Sequence, residues 1–156
     1  MKYKGKQLYG PSVEVVVLPR QDGDIVIKVA AISDYDDFNK LAPFPIPPKK
    51  LLPGGVTQVN PQDPEYRKKL EDWAELKTHW MILTSLKASP DLEFETVKIE
   101  DTKTWKNYIE EFATSGFTPM EVNRIIQAIM SVNGLNDEKI EKATKAFLAG
   151  QVVVGK

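Results

Sequence analysis

Two short segments near the start of the chain are filled with β-branched apolar residues. Residues 13–18 and 25–32 are rich in valine and isoleucine, and the connector 21–24 contains an Asp-Gly pair that suits a tight turn. The pattern predicts a β-hairpin over residues 13–32. Because few polar residues interleave and a lone hairpin is marginally stable in water, a third strand or a partner must complete it. Residues 92–99 alternate strictly between apolar and polar, and they are the best internal candidate for that third strand.

A short helix and a proline-rich segment are predicted after the hairpin. Residues 34–41 favour a helix with acidic residues in its first turn, and Pro43 ends it. The prolines from Pro43 to Pro53 exclude helix and favour extended backbone, and Pro53-Gly54-Gly55 predicts a turn. Such a segment either links two modules or lies across a surface. Its apolar residues favour the second interpretation.

Apolar residues recur every three or four positions over much of residues 63–150. The clearest stripe runs from Tyr66 to Leu83, behind Asp63 as a helix cap and Pro64 as the first helical residue. Further helices are predicted from about residue 102 to Gly116, behind a capping box at residues 118–121, and from about residue 136 to a C-terminal stop at Gly150. We expect residues 63–150 to form an independent helical core.

These patterns together predict an α+β fold. An N-terminal hairpin or small antiparallel sheet and the proline-rich arm would pack with a C-terminal bundle of about four helices. The predicted divisions are a hairpin and short helix (1–42), an extended arm (43–62), a helical domain with one strand near 92–99 (63–150) and a C-terminal tail (151–156). The tail contains Val152, Val153 and Val154, which favour a strand that could add to an open sheet edge.

The charge and hydropathy of the chain argue against binding to nucleic acid and against insertion in a membrane. The 156 residues carry 21 Lys and Arg against 22 Asp and Glu, a net charge of −1, so no basic surface for nucleic acid or an anionic membrane is expected. No apolar run approaches the roughly 20 residues needed to cross a bilayer, and no signal-peptide pattern follows the basic start. The cytoplasm is the expected compartment.

Residues that carry most enzyme chemistry are scarce. The chain has no Cys and one His, so thiolate metal sites, cysteine nucleophiles and most acid–base triads lose their usual members. That histidine, His79, lies beside the apolar stripe without an identifiable nucleophile or orienting acid. Asp34, Asp36 and Asp37 could hold Mg²⁺ or Ca²⁺, but helix capping and the helix dipole account for the same residues. We therefore expect no enzyme activity, no metal and no cofactor.

Two apolar segments remain as candidates for binding a protein partner. The proline-rich run has a restricted backbone that suits docking in an aromatic groove, and the C-terminal valines suit addition to a sheet edge. For both segments, packing within the same chain is the competing interpretation. The predicted partner-binding residues are Phe44, Ile46, Leu51, Leu52, Val152, Val153 and Val154.

A series of short motifs over residues 60–150 carries a family resemblance. The motifs are Asp63-Pro64-Glu65-Tyr66, Trp80 with Leu83-Thr84-Ser85-Leu86, Thr104-Trp105, Gly116-Phe117, Glu121-Val122, Asn133-Gly134-Leu135 and Ala146-Phe147-Leu148-Ala149-Gly150. In this order they resemble small proteins of tailed-bacteriophage morphogenesis modules, particularly tail assembly chaperone-like proteins. The resemblance implies a non-enzymatic phage protein, in the host cytoplasm, that binds a tape-measure or tail-tube protein during tail assembly.

Two alternatives stay open beside the chaperone interpretation. A structural virion subunit of the tail or head would use the proline-rich arm and the valine-rich terminus as straps between copies of itself. A phage effector that binds a host protein would use the same surfaces. An enzyme has the least support from the sequence.

Overall fold

Six short strands and five α-helices form in the described part of the chain, which in this computed structural model comprises the backbone of residues 1–154 and the side chains of residues 1–150. The strands pair in chain order as three antiparallel hairpins, so the predicted α+β class is confirmed. The elements are β1 (Lys2–Tyr3), β2 (Lys6–Gln7), β3 (Val13–Leu18), β4 (Ile25–Ala30), α1 (Asp36–Leu41), β5 (Lys49–Leu51), β6 (Thr57–Val59), α2 (Pro64–Leu86), a 3₁₀ helix (Thr102–Asn107), α3 (Tyr108–Thr114), α4 (Pro119–Val132) and α5 (Asp137–Val154).

Contacts divide the chain into two compact units that are not consecutive in sequence. The first unit contains Met1–Ser33, Ser85–Glu93 and the chain from Gly116 onward, and the second contains Asp34–Thr84 and Phe94–Ser115. The helices of residues 63–150 are therefore shared between both units and do not form the single core expected from the sequence. Apolar periodicity identifies which face of a helix is buried, but it does not identify the element that covers that face.

The core of the first unit lies between the β3–β4 hairpin and α4. Strand alternation directs Val16, Leu18, Ile27 and Val29 to one side of the hairpin, where all four are buried. Helix α4 supplies the opposing buried residues, which are Ile125, Ile129 and Val132. The hairpin predicted over residues 13–32 is thus confirmed, and one of its faces packs on a helix.

A charged group at the start of α4 ties that helix to the hairpin connector. The predicted capping box is present: the Thr118 hydroxyl accepts from the Glu121 N–H, and the Glu121 carboxylate accepts from the Thr118 N–H. The second carboxylate oxygen of Glu121 accepts from the Arg20 guanidinium at 2.5 Å. These bonds fix the helix start next to the end of β3.

The core of the second unit is aromatic. Phe38 of α1 is fully buried, and its ring centroid lies 5.5 to 6.3 Å from those of Trp73, Trp80 and Trp105. Trp80 and Trp105 are buried, whereas Trp73 is half-buried and donates from its indole N–H to the Ala42 carbonyl at 2.9 Å. Trp80 and Trp105 are therefore core residues of this unit.

The strand predicted near residues 92–99 does not form. The Glu111 carboxylate accepts from the backbone N–H groups of Glu95 and Thr96, and the Thr104 hydroxyl bonds both backbone groups of Lys98. Side chains therefore satisfy the polar backbone groups that a strand would pair with a neighbour. Phe94 packs edge-on against Phe112 at 5.5 Å, so apolar alternation in this segment reflects packing of a loop.

The C-terminal strand and the stop at Gly150 are also wrong. Helix α5 continues to Val154 and so includes Val152 and Val153, whose side chains lie outside the described residues. A glycine that ends a helix adopts a positive φ, and Gly150 does not. Glycine inside a helix costs only about 1 kcal/mol relative to alanine, so the helix can continue through it.

The proline-rich arm contains a hairpin that the sequence did not predict. Strands β5 and β6 pair antiparallel, with Lys49 opposite Val59 and Leu51 opposite Thr57. The predicted turn lies between them, where Gly54 and Gly55 both adopt positive φ. The paired residues lie on either side of Pro53 and none of them is a proline, so each retains the N–H that a ladder needs.

We expect Trp105→Ala to lower the free energy of unfolding by about 3–5 kcal/mol, because the deletion leaves a cavity in a close-packed core. The indole is fully buried and its N–H donates to the Ile99 carbonyl at 3.1 Å, so that carbonyl also loses its donor. Urea denaturation followed by circular dichroism measures the loss. Ile109→Ala, at an exposed position of α3, is the control and should change stability by no more than about 1 kcal/mol. Equal losses in the two variants would contradict the aromatic core.

We expect the Arg20–Glu121 pair to make stability depend on acid pH. The hydrogen bond from Arg20, and then that from the Thr118 N–H, lowers the pKa of Glu121 from 4.5 to about 2. As pH falls, the unfolded chain takes up this proton first, so the stabilisation is complete above about pH 4.5 and is lost on the way down to about pH 2. Urea denaturation at neutral pH and near pH 3 should show a smaller acid-induced loss for Glu121→Gln than for the wild type. Identical losses would show that the pair does not act in the folded state.

Candidate protein-binding surface

The predicted partner-binding residues of the arm have different environments. Ile46 is 88% exposed and Leu51 of β5 is 71% exposed, whereas Leu52 is half-buried. Phe44 packs its ring edge-on against Trp73 with centroids 4.8 Å apart, although 57% of the residue remains exposed. Contact with Trp73 therefore covers part of the Phe44 side chain. The other predicted residues, Val152, Val153 and Val154, have side chains outside the described range.

The outer side of the β3–β4 hairpin is an exposed apolar face. It consists of Val13, Val15 and Val17 of β3 with Val26 of β4, which are 42 to 54% exposed, and we call it the valine face. The register places Val17 directly opposite Val26. Lys28 lies on the same face opposite Val15, and Ala30 lies opposite Val13, so the valine face also contains one exposed lysine. This is the side of the hairpin that α4 does not cover.

The outer edge of β4 is closed by a serine. The buried Ser89 hydroxyl accepts from the Lys28 N–H at 2.6 Å and donates to the Lys28 carbonyl at 2.8 Å. Both backbone groups of Lys28 therefore point away from β3, and the pair formed by Lys28 and Val15 is one of the non-hydrogen-bonded pairs of the ladder. The hydroxyl occupies the position that a neighbouring strand would take.

The outer edge of β3 is open. Because ladder pairs alternate, Val13, Val15 and Val17 also direct their N–H and C=O groups away from β4. Within the described residues, the one side chain that bonds these groups is Arg124, whose guanidinium reaches the Val17 carbonyl at 3.5 Å. The edge thus offers backbone donors and acceptors beside an apolar face.

The single charge within β3 is turned inward and neutralised. Glu14 accepts from the Lys139 ammonium at 2.6 Å and from the Ser131 hydroxyl at 2.8 Å. The hydrogen bond from Lys139 is the main reason that the pKa of Glu14 is lowered. The carboxylate therefore links β3 to α4 and to the start of α5, and the charged group at the outer edge is the Arg124 guanidinium at the Val17 carbonyl.

Helix α5 carries a second exposed apolar stripe. All of its residues up to Gly150 are exposed, including the apolar side chains Ile140, Phe147 and Leu148 at 50 to 62%. Ile140 and Phe147 are seven positions apart and so share one face of the helix. An exposed helix with such a face is available to a partner.

His79 lies between a tyrosine and a glutamate. Its Nδ1 lies 3.1 Å from the Tyr108 hydroxyl and its Nε2 lies 3.4 Å from the Glu75 carboxylate, so both ring nitrogens have partners. Burial raises the pKa of Tyr108 to about 12, which keeps its hydroxyl protonated. A cleft of about 580 Å³ with Lys103 and Lys106 in its wall adjoins the histidine. The structure thus gives the histidine a hydroxyl and a carboxylate as neighbours, which the sequence did not identify.

One residue of the acidic cluster bonds the local backbone. Asp34 accepts from the Asp36 N–H at 3.1 Å just before α1, but the N-cap position is Tyr35 and no side chain caps it, so the predicted helix cap at Asp34 is wrong. Asp36 and Asp37 lie in the first turn, as predicted. Among the residues that the structure describes, no three metal-binding side chains come together. The helices of the described chain include none with the length and apolar character to span a membrane.

The valine face was missed as a site because β-branched runs signal strands without telling which faces are covered. The sequence did carry a signal for this face, which is the shortage of polar residues on both sides of the predicted hairpin.

Comparison of the chain with protein-family models, with curated proteins and with solved structures gives no match in any of the three.

Proposed function

We propose that the chain is a non-enzymatic protein-binding protein whose partner docks on the valine face. The observation that carries this proposal is the exposure of four β-branched side chains on one side of a hairpin whose other side is packed on α4. Apolar surface of this kind gains free energy when a partner removes it from water. The same contact would cover the hairpin face that α4 leaves in water.

The size of the face decides how much of the partner's binding it can provide. Burying the exposed half of a valine yields about 1 kcal/mol, so the four residues yield about 4 kcal/mol before association costs. Even with no association cost, this free energy would give a dissociation constant of only about 1 mM, and the cost makes binding by these four residues alone weaker than that. A partner that binds tightly must therefore also contact the open β3 edge or the apolar stripe of α5.

The partner that we propose is a tape-measure or tail-tube protein during assembly of a phage tail, in the host cytoplasm. The motif resemblance over residues 60–150 supports this assignment. An assembly chaperone has to hold apolar surfaces of its client until they are buried in the final structure, and exposed apolar faces on a strand and a helix suit that task. The second candidate is a virion subunit, which the open β3 edge favours because copies in an assembly can close such edges.

We expect the double variant Val15→Thr with Val26→Thr to bind the tape-measure or tail-tube protein about tenfold more weakly or worse than the wild type. Threonine keeps the β-branched shape, so stability should change little at these exposed positions. Isothermal titration calorimetry with the purified tail proteins measures the affinity. The matched control is Val59→Thr, because Val59 is also a half-exposed strand valine but lies in β6.

Equal weakening by Val59→Thr would contradict the assignment of the site, and failure of the wild type to bind either tail protein would contradict the assignment of the partner. Mass spectrometry of purified virions separates the two candidate functions. A chaperone should be absent from the virion, whereas a structural subunit should be present in a fixed ratio to other tail proteins.

A further inference from the structure

β3 differs from its neighbours in how its edge is protected. Natural edge strands discourage pairing with outward lysines, prolines, bulges or a covering group. β1, β2, β4 and β5 each contain a lysine, β4 is also capped by Ser89, and β6 is only three residues long. β3 is six residues long and contains no lysine, proline or glycine, although Pro11 and Pro19 lie just outside it, and its one charged residue, Glu14, is turned inward. Among the described strands, β3 is therefore the long edge with the least protection within the strand.

We propose that a second copy of this chain pairs antiparallel with β3 around a twofold axis at Val15. The two hairpins would then form one four-stranded antiparallel sheet. Val15 already points its N–H and C=O outward, so each Val15 would donate to the other and accept from it. Val13 of one copy would pair with Val17 of the second copy. Their N–H and C=O groups also point outward, because alternate residues of a strand direct their backbone groups to the same edge.

The side chains and charges of the strand fit this pairing. On the outer side, valine meets valine at every pair of the new ladder, and β-branched cross-strand pairs are favourable. On the inner side, the pairing sets Glu14 opposite Val16, and the Lys139 contact compensates the carboxylate, so no like charges meet. The contact of Arg124 with the Val17 carbonyl leaves the second lone pair of that oxygen for a ladder bond.

A second copy is favoured over an unrelated strand because a twofold axis uses one strand for both sides of the interface. The interface is isologous, so complementarity of the sequence with itself is the only requirement. The pairing also joins two valine faces into one surface that contains eight valines and the Lys28 side chain of each copy. That consequence rests on the proposed function, in which a partner binds the valine face, whereas the dimer itself does not.

The test uses the full-length chain alone, without any tail protein. Light scattering coupled to size exclusion should give twice the chain mass of 17.6 kDa for the wild type. The chain has no cysteine, so a single introduced thiol reports one position without interference. Val15→Cys should form a disulfide-linked dimer under mild oxidation about tenfold faster than Val26→Cys, since paired residues on adjacent strands have Cα atoms about 5.5 Å apart, within the range of a disulfide.

A second pair of variants checks the interface by disrupting it. Val15→Lys places two ammonium groups at the twofold axis and should weaken dimerisation about tenfold or more, while Val26→Lys on the same face should not. Circular dichroism should show both variants folded, because both positions are half-exposed. A monomeric wild type, or equal cross-linking at positions 15 and 26, would overturn the proposal.

The two proposals fail separately. A monomer that still loses tail-protein binding on substitution of the valine face would overturn the dimer and retain the proposed function. A dimer that binds neither tail protein would retain the pairing of β3 and overturn the proposed partner.

Discussion

Burial of one side of the β3–β4 hairpin against α4 is the constraint from which the rest of the first unit follows. Once Val16 and Ile27 face the helix, the period of two in a strand sends every alternate side chain outward. A shift of one residue in register would expose the buried set, so the packing fixes the pairing. The same alternation decides which backbone groups point at each edge. Packing of the hairpin on α4 therefore determines three other features, which are the exposed valines, the serine cap on β4 and the open edge of β3.

Local signals in the sequence predicted those elements whose backbone bonds stay within the element. The hairpin, the start of α2 behind Asp63 and the capping box of α4 all appear as expected, because each depends on residues a few positions apart. Residues 92–99 were misassigned for the opposite reason. Their backbone groups are satisfied by Thr104 and Glu111, which lie far enough along the chain that alternation cannot report them.

The candidate site was only partly predictable for a related reason. The sequence identified Phe44 and Ile46 as large apolar residues in a segment that regular secondary structure cannot bury. It could not show that Trp73 would offer Phe44 a partner within the chain. The division into two units has the same origin, since contacts such as that between Asn133 and Ser85 join residues that are distant in sequence. The internal third strand does not form, and packing of one hairpin face on α4 supplies the support that the sequence assigned to a third strand or a partner.

Ser89 caps the outer edge of β4, whereas no strand pairs with the outer edge of β3 in the described residues, and this difference limits the size of the assembly that we propose. A sheet with two open edges can add strands without limit, which leads to fibres. In this chain the pairing of two β3 edges would consume both open edges, and the Ser89 hydroxyl closes the outer edge of β4 in each copy. The sheet would then end at four strands. A closed dimer of this kind keeps the valine faces on one side of the sheet, where a single extended partner can cover both.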